Sequence, residues 1–222
     1  MTEFDFSFAM GLLPQLLDAL PTTLGMTLLA TVLALGLGLC LALSQIFDVK
    51  GLSRFTDFYI SFFRGTPLLV QLFLFYYGLP QIFPAMTSIS AFEAVTLALA
   101  LHFASYMAEI IRAAILGIDR SQMEACLSVG MDRLTAMRRI ILPQASRIAL
   151  PGLMNSFIDL LKSTSLAFTL GVTEIMSRAQ LEAASSFNFL ESYLVLALVY
   201  WMLVIIMTWV QKLTERRLGE AY

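Results

Sequence analysis

The sequence has few of the residues on which soluble domains and most enzymes depend. Only 14% of its 222 residues are charged, against roughly 25% in soluble domains. It contains no Gly-Lys dipeptide, so it has no P-loop that could bind and hydrolyse ATP. One histidine and two cysteines leave little for a metal site or for base catalysis, and a net charge of −2 offers no basic face to nucleic acid. We therefore expect neither an enzyme nor a nucleic-acid-binding protein, and no bound cofactor or metal.

Apolar residues make up 59% of the chain and form long runs. One run, between Asp18 and Asp48, contains no charged side chain. A helix of that length crosses a bilayer core of roughly 30 Å. The sequence therefore predicts an all-α polytopic membrane protein with one transmembrane domain, residues 1–222. The five predicted spans are 22–46, 65–83, 91–111, 148–172 and 190–211.

Lys and Arg are unevenly distributed, and their positions predict the orientation. Residues 1–47 and 65–111 contain none, whereas the connection 112–147 contains many. Three more follow the last predicted span: Lys212, Arg216 and Arg217. Cytoplasmic loops near span ends are enriched in these residues. We expect the N-terminus outside the membrane, and the 112–147 loop and the C-terminus in the cytoplasm.

The segment from Phe4 to Leu20, before the first predicted span, is apolar with few charges. Two interpretations are open. It could be an amphipathic helix in the outer membrane interface, or an ordinary loop.

The connection 112–147 is too long for a simple turn and carries helix signals of its own. The residues 121–124, Ser-Gln-Met-Glu, fit a capping box. Gly130 is placed for the left-handed residue that ends a short helix. A second helix is predicted to start at Asp132 and to end before Pro143. Its buried side is predicted to carry Leu134, Met137 and Ile141.

The same loop carries a longer pattern: Glu124-Ala125-Cys126, three residues, Gly130, nine residues, Ile140, one residue, Leu142-Pro143. It resembles the Glu-Ala-Ala signature of ABC importer permeases and departs from it at Cys126, where the family has alanine. The resemblance implies a fold like that of type I importers, with a coupling helix at residues around 121–134 that docks into an ATPase. The alternative is a cytoplasmic hairpin that only links two spans and has no coupling role.

The resemblance also implies partners. They are two cytoplasmic ATPase subunits, which use the ATP, an external solute-binding protein, and a second copy of the permease as a homodimer within membrane lipid.

Three further motifs are similar to those of the polar amino acid permeases. They are Phe63-Arg64-Gly65-Thr66-Pro67 with Gln71, Tyr106-Met107-Ala108-Glu109 with Arg112, and Leu161-Lys162-Ser163-Thr164-Ser165-Leu166. The run from Phe58 to Pro80 is most similar to cystine/cysteine permeases, which implies L-cystine or a related polar amino acid as substrate. Ser163 stands where the subfamily often has Asp, and this departure leaves the substrate preference open.

Lys162 lies near the middle of the fourth predicted span. A lysine there costs several kcal/mol unless it is paired or lines water. Asn155, Asp159 and Lys162 recur at helical spacing and share one face, with Ser163 beside them; we call these four residues the polar stripe. The stripe either lines the substrate pathway, with Lys162 on a substrate carboxylate, or contains an Asp159–Lys162 pair that locks helices together.

Other ionisable residues have simpler interpretations. Glu109 and Arg112 are three residues apart and are expected to pair within one helix, with a gating role as the alternative. Arg64 is expected to be a topological anchor. His102, the only histidine, is expected to be a hydrogen-bonded packing residue and not a metal ligand. Cys40 and Cys126 are expected to be small packing residues.

Two rival functions share some of these features. An ion-coupled secondary transporter or channel also places ionisable groups in the membrane, but it usually has internal repeats and has no need of the signature at 124–143. A scaffold subunit without a pathway would tolerate leucine at both Asp159 and Lys162. We expect the permease subunit of an ATP-driven amino acid importer.

Overall fold

The computed structural model describes residues 4–219, and for 217–219 it describes the backbone alone. Within this part of the chain every regular element is helical, which confirms the predicted fold class. The α-helices are α1 (Phe6–Ile46), α2 (Leu52–Gly65), α3 (Leu68–Phe73), α4 (Leu79–Ile82), α5 (Ala91–Leu116), α6 (Arg120–Ser128), α7 (Arg133–Ala136), α8 (Leu142–Ser163), α9 (Ile175–Ser186) and α10 (Phe189–Gly219). Tighter or wider turns join some of them: a π turn at Leu74–Gly78, 3-10 turns at Pro84–Ser88 and Thr164–Leu170, and a second π turn at Met137–Ile141.

Helix α1 starts sixteen residues before the predicted first span. The Asp5 side chain caps it by accepting a hydrogen bond from the Phe8 N–H at 2.9 Å, and the helix continues through two prolines. The loop interpretation of the Phe4–Leu20 segment was therefore wrong, since from Phe6 onward it is the first part of α1, and its position in the membrane interface stays a prediction. The physical reason is packing: Leu12 and Leu16 are fully buried in a cluster with residues of α9 and α10.

The second predicted span, 65–83, begins at a sharp bend and continues as α3, the π turn and α4. Helix α2 and the segment Leu68–Ile82 meet at an angle of 110° because Pro67 lacks an N–H and holds Thr66 in an extended conformation. The buried Gln71 side chain supplies hydrogen bonds to backbone groups at the bend. Its Nε2 donates to the backbone oxygens of Phe63 (3.0 Å) and Thr66 (3.1 Å) and to the Thr66 Oγ1 (2.7 Å).

Helix α5 is the centre of the fold. It begins with a capping box between Ser90 and Glu93. About two thirds of its membrane-spanning part is buried inside the protein. Helix α1 packs closely against it because Gly38 has no side chain. A Cβ atom at Gly38 would lie 3.1 Å from the Ala104 oxygen and from the Ala108 nitrogen.

Three helices of the described chain are long and apolar enough to cross a membrane, namely α1, α5 and α10, and the bent α2–α4 segment would be a fourth crossing. Helix α8 and the 3-10 turn after it cover the predicted span 148–172, but α8 does not meet the same criteria, since its polar side chains lower its mean hydropathy. Five crossings thus stay a prediction.

Helix α9, between the Thr164–Leu170 turn and α10, was not predicted. Its N-cap is Glu174, which is fully buried and whose carboxylate accepts hydrogen bonds from the N–H groups of Met176 (2.9 Å) and Ser177 (2.8 Å). The hydroxyl of Tyr200 in α10 lies 3.3 Å from the same carboxylate. Glu174 therefore joins the start of α9 to α10.

Candidate substrate pathway and coupling loop

Helix α6 contains the Glu-Ala-Cys part of the signature, and its start differs from the predicted one. Asp119 is the N-cap, and its carboxylate accepts a hydrogen bond from the Ser121 N–H at 2.9 Å. The predicted capping box at 121–124 was therefore wrong, because an equally good cap residue lies two positions earlier. The hydrogen bond from Ser121 lowers the pKa of Asp119 below its ordinary value.

Gly130 ends α6 as predicted. Its φ is +83°, a left-handed value that favours glycine. The Gly130 N–H donates to the Leu127 oxygen and the Met131 N–H donates to the Cys126 oxygen, both at 3.0 Å. These two bonds form a Schellman motif, which satisfies the last carbonyls of the helix and fixes the direction in which the chain leaves it.

The next helix starts at Asp132 as predicted. The Asp132 carboxylate accepts hydrogen bonds from the N–H groups of Leu134 and Thr135, each at 3.0 Å, and from the Thr135 hydroxyl at 2.6 Å. The bonds from Thr135 lower the pKa of Asp132 below its ordinary value. Of the three residues predicted to be buried, Met137 and Ile141 are buried, whereas Leu134 is 68% exposed and was wrongly assigned.

The predicted end of this helix before Pro143 was wrong. The chain passes from α7 through the π turn Met137–Ile141 into α8, and Pro143 lies in the first turn of α8. Proline is tolerated there because its missing N–H matters little at the start of a helix, and the wide π turn before it gives the ring room. The segment from Arg133 to Ser163 is therefore helical throughout, with Pro151 inside α8, and we call it the rod.

The signature residues divide into an exposed and a packed group. Glu124 and Ala125 are exposed on α6 and Pro143 on α8, whereas Cys126 is buried, in agreement with its expected packing role. Leu142 packs against a cluster at the cytoplasmic end, together with Ile111, Ile115, Met137, Ile141, Ala145 and Ala149. Cys40, by contrast, is exposed on α1 and does not pack as expected.

The polar stripe lies on the surface of α8, where Asn155, Asp159 and Lys162 are all exposed. The Lys162 Nζ lies 2.7 Å from the Asp159 Oδ1, and these side chains are 52% and 61% exposed. The Ser163 hydroxyl donates back to the Asp159 backbone oxygen at 2.8 Å. The predicted ion pair is therefore present within α8, and both proposed roles of the stripe, in the substrate pathway and in holding helices together, stay predictions.

Glu109 lies between two arginines. Its Oε2 is 3.5 Å from Arg112 in the same helix, which confirms the expected intrahelical pair, and 3.9 Å from Arg64 in α2. The Arg64 guanidinium also lies 5.3 Å from the centre of the Tyr106 ring. Arg64 therefore joins α2 to α5 as well as marking the span end, a contact that the sequence could not indicate because the two residues are far apart in the chain.

His102 is buried in α5, and its Nδ1 lies 2.9 Å from the Gln71 Oε1. This confirms the expected hydrogen-bonded packing role. In residues 4–219 no group of three or more His, Cys, Asp or Glu side chains is placed to hold a metal ion.

Comparison with known proteins identifies the family. Residues 34–220 match the model of the binding-protein-dependent transport system inner membrane component. The chain is 61% identical to a probable amino-acid ABC transporter permease, PatM of Vibrio harveyi, over 99% of this chain and 98% of that protein. In Bacillus subtilis, it is 37% identical to the arginine permease ArtQ (97% and 98% covered) and 38% identical to the L-cystine permease TcyL (98% and 92% covered).

A solved structure agrees with the sequence relatives. A chain of an amino acid ABC transporter crystallised with histidines superposes with a TM-score of 0.88 at 36% identity, over 98% of this chain and 100% of that one. The all-helical fold agrees with these matches. The chain belongs to the family of binding-protein-dependent transport system inner membrane components, as an amino-acid ABC transporter permease subunit that is not itself an enzyme.

Proposed function

We propose that this subunit forms the pathway of an ATP-driven importer of L-cystine or a related polar amino acid. The observation that carries the proposal is the rod from Arg133 to Ser163, which has the coupling helix α6 at one end and the polar stripe at the other. A single continuous helical element thus connects the proposed ATPase dock with the proposed substrate contacts. A scaffold subunit would have no need of such a connection.

The polar stripe suits an amino acid substrate. A lysine and an aspartate exposed at membrane depth are costly unless they line water. Asp159 and Lys162 together are neutral, and they lie 2.7 Å apart. A zwitterion can exchange partners with this pair, with its ammonium group on Asp159 and its carboxylate on Lys162. Asn155 and Ser163 add neutral hydrogen-bonding groups, and Glu109 is a further candidate nearer the cytoplasmic end.

The choice of cystine rests on likeness in the Phe58–Pro80 run, and the relative TcyL supports it. Overall identity does not distinguish substrates, because the arginine permease ArtQ is as similar to the chain as TcyL is. A neutral ion pair favours a substrate without net charge over arginine. This physical argument is the second support for cystine.

In the proposed complex the permease is a homodimer in the inner membrane, with its N-terminus outside and its C-terminus in the cytoplasm. A solute-binding protein delivers the substrate from outside. Two cytoplasmic ATPase subunits hold and hydrolyse the ATP and contact the exposed side of α6, including Glu124 and Ala125. The Arg-rich loop 112–147 supports this orientation.

The proposed mechanism is movement of a lever. When ATP binding closes the ATPases, α6 moves with them. The Schellman turn at Gly130 and the Asp132 cap fix the start of the rod relative to α6, so the rod moves too and the polar stripe opens to the outside. Hydrolysis returns it to the inward orientation. An ion-coupled carrier, the main rival, has no use for this loop.

Uptake of labelled L-cystine into vesicles tests the proposal. The vesicles contain this chain, its ATPase and its binding protein, and uptake is measured with and without ATP, against excess unlabelled arginine, glutamine and histidine. ATP-dependent uptake that resists these competitors supports both the importer and the cystine assignment. ATP-dependent uptake of another amino acid would discard the substrate, and uptake driven by an ion gradient without ATP would overturn the importer.

A further inference from the structure

Two cavities are lined by residues of α1 and α5, one together with α8 and the other together with α6 and the π turn Met137–Ile141. The first, of about 280 Å³, we call the chain cavity, and its lining is almost entirely apolar: Leu35, Leu39, Ile111, Leu142, Ala145, Ser146, Ala149 and Leu153. The second, of about 440 Å³, we call the headgroup cavity, and it is lined by residues that include Gln45, Arg112, Asp119, Arg120 and Met123. Residues one helical turn apart divide between the two linings, Ile111 and Ile115 on α5 and Ala145 and Ile141 at the start of α8, so the two cavities follow each other along the same helix faces.

The headgroup cavity carries more positive than negative charge. Arg112 and Arg120 line it, and among the described lining residues Asp119 alone is acidic. The Asp119 carboxylate already accepts the Ser121 N–H. Arg112 lies 3.5 Å from Glu109, which does not line the cavity, but its side chain is 37% exposed and its Nε has no hydrogen-bond partner among the described residues. An anionic group in this cavity would therefore gain charge-assisted hydrogen bonds.

The chain cavity faces away from the polar stripe. Its α8 residues, from Leu142 to Leu153, lie roughly 130° around the helix axis from Asn155, Asp159 and Lys162, at 3.6 residues per turn. If the stripe faces the pathway, the chain cavity faces elsewhere. An apolar crevice that continues into a cationic cavity at the cytoplasmic end of the spans has the chemistry of a phospholipid site.

We propose that the two cavities bind one anionic phospholipid of the cytoplasmic leaflet. Its phosphate lies against Arg112 and Arg120, and one acyl chain fills the chain cavity. A soluble phosphate compound would leave the apolar cavity empty, and a zwitterionic lipid would offset the arginines less well. The choice of leaflet rests on the proposed orientation, but the binding itself does not.

The bound lipid would connect the coupling helix to the membrane core. Arg120 and Met123 belong to α6, whereas Gln45 lies at the end of α1 and Arg112 in α5. A headgroup between them touches both the proposed ATPase dock and the transmembrane helices. The lipid is therefore expected to strengthen the transmission of movement from α6, so that transport is faster in membranes rich in anionic lipid.

Native mass spectrometry of the purified importer tests the site. The complex is mixed with phosphatidylglycerol or with phosphatidylcholine of the same acyl chains, and the lipid retained per permease is measured. Phosphatidylglycerol is expected to be retained preferentially. Arg120→Gln is expected to weaken retention about fivefold by loss of one positive charge, and Ser146→Trp to abolish it by filling the chain cavity from an exposed position. Arg133→Gln, which removes the same charge from a residue that lines neither cavity, is the control.

Several results would overturn the proposal. Equal retention of the two lipids excludes an anion-selective site, and full retention by Ser146→Trp excludes the chain cavity. Displacement of the lipid by free glycerol phosphate at the same concentration would show that the headgroup cavity alone binds. If Ser146→Trp fails to assemble, Leu39→Trp fills the same cavity from α1. Because no amino acid uptake is measured, the result is independent of the proposed substrate.

Discussion

The Nδ1 of His102 lies 2.9 Å from the Oε1 of Gln71, and this bond joins the central helix α5 to the bend between α2 and α3. The Nε2 of Gln71 is occupied as a donor to Phe63 and Thr66. The Gln71 Oε1 can only accept, so His102 carries its proton on Nδ1. The bend between α2 and α3 thus orients the Gln71 amide, and the Gln71 oxygen in turn selects the tautomer of His102.

Replacement of Gln71 by Leu is expected to destabilise the protein by about 3 kcal/mol, because it leaves buried polar groups at the bend and on His102 without partners. Unfolding in mild detergent by added dodecyl sulfate measures the effect. Gln81→Leu is the control, since Gln81 is exposed and bonds only the Tyr77 oxygen; its effect is expected to stay below about 0.5 kcal/mol. Equal stability of the two variants would show that Gln71 is not needed at the bend.

Replacement of Gly130 by Pro is expected to keep the protein in the membrane but to uncouple ATP hydrolysis from uptake. Proline fixes φ near −65°, whereas Gly130 has a φ of +83° and its N–H bonds to Leu127. The change therefore removes the Schellman turn that fixes α6 to the rod. The ratio of amino acid imported to ATP hydrolysed measures coupling. Gly25→Ala, in open space on α1, should leave that ratio unchanged, and normal uptake by Gly130→Pro would count against the lever.

Replacement of Lys162 by Met is expected to reduce uptake at least tenfold with little change in stability. Exposed ion pairs contribute about 0–1 kcal/mol, and both partners of this pair are more than half exposed. The double variant with Leu at Asp159 and Lys162 is expected to be inactive. Lys212→Met, at the far end of α10, is the matched control. Uptake by the double variant at the wild-type rate would instead favour a scaffold subunit.

Protection of α7 is expected to depend on pH through Asp132. Because hydrogen bonds from Thr135 lower the pKa of the folded carboxyl below the ordinary value of 3.8, its stabilising effect is present above that value and is lost as the pH falls through the folded pKa. Hydrogen exchange at the amides of Leu134 and Thr135 measures this. Asp132→Asn keeps the cap without the charge, so its opening equilibrium should be insensitive to acid. The same acid response in both proteins would assign the effect to another group.

Helix ends were predicted correctly where one residue and its immediate neighbours determine the local structure. Gly130 and Asp132 were predicted because a left-handed C-terminal residue and an N-cap depend on their own backbone and immediate neighbours. The capping box at 121–124 failed because Asp119 offered a competing cap. Pro143 was predicted to end a helix, but the π turn before it allows the helical structure to continue into α8.

Long-range contacts could not be predicted from local patterns. The apolar positions before Leu20 gave no sign that α9 and α10 would bury Leu12 and Leu16 and carry the helix past two prolines. Glu174 was not predicted as the N-cap of α9, although its bonds to Met176 and Ser177 are local; only its contact with Tyr200 in α10 depends on the fold. The Arg64–Glu109 contact likewise depends on the bend at Pro67, which places α2 against α5.

On the proposed lever, the number of residues in the rod decides which way the polar stripe faces relative to α6. One residue inserted between Pro143 and Asn155 would turn the polar stripe by about 100° relative to the coupling helix, because each helical residue adds that rotation. The stripe would then face the neighbouring helices or the lipid. On the proposed lever, we expect the spacing between the signature and the stripe to stay constant among working relatives, even where the residues between them differ.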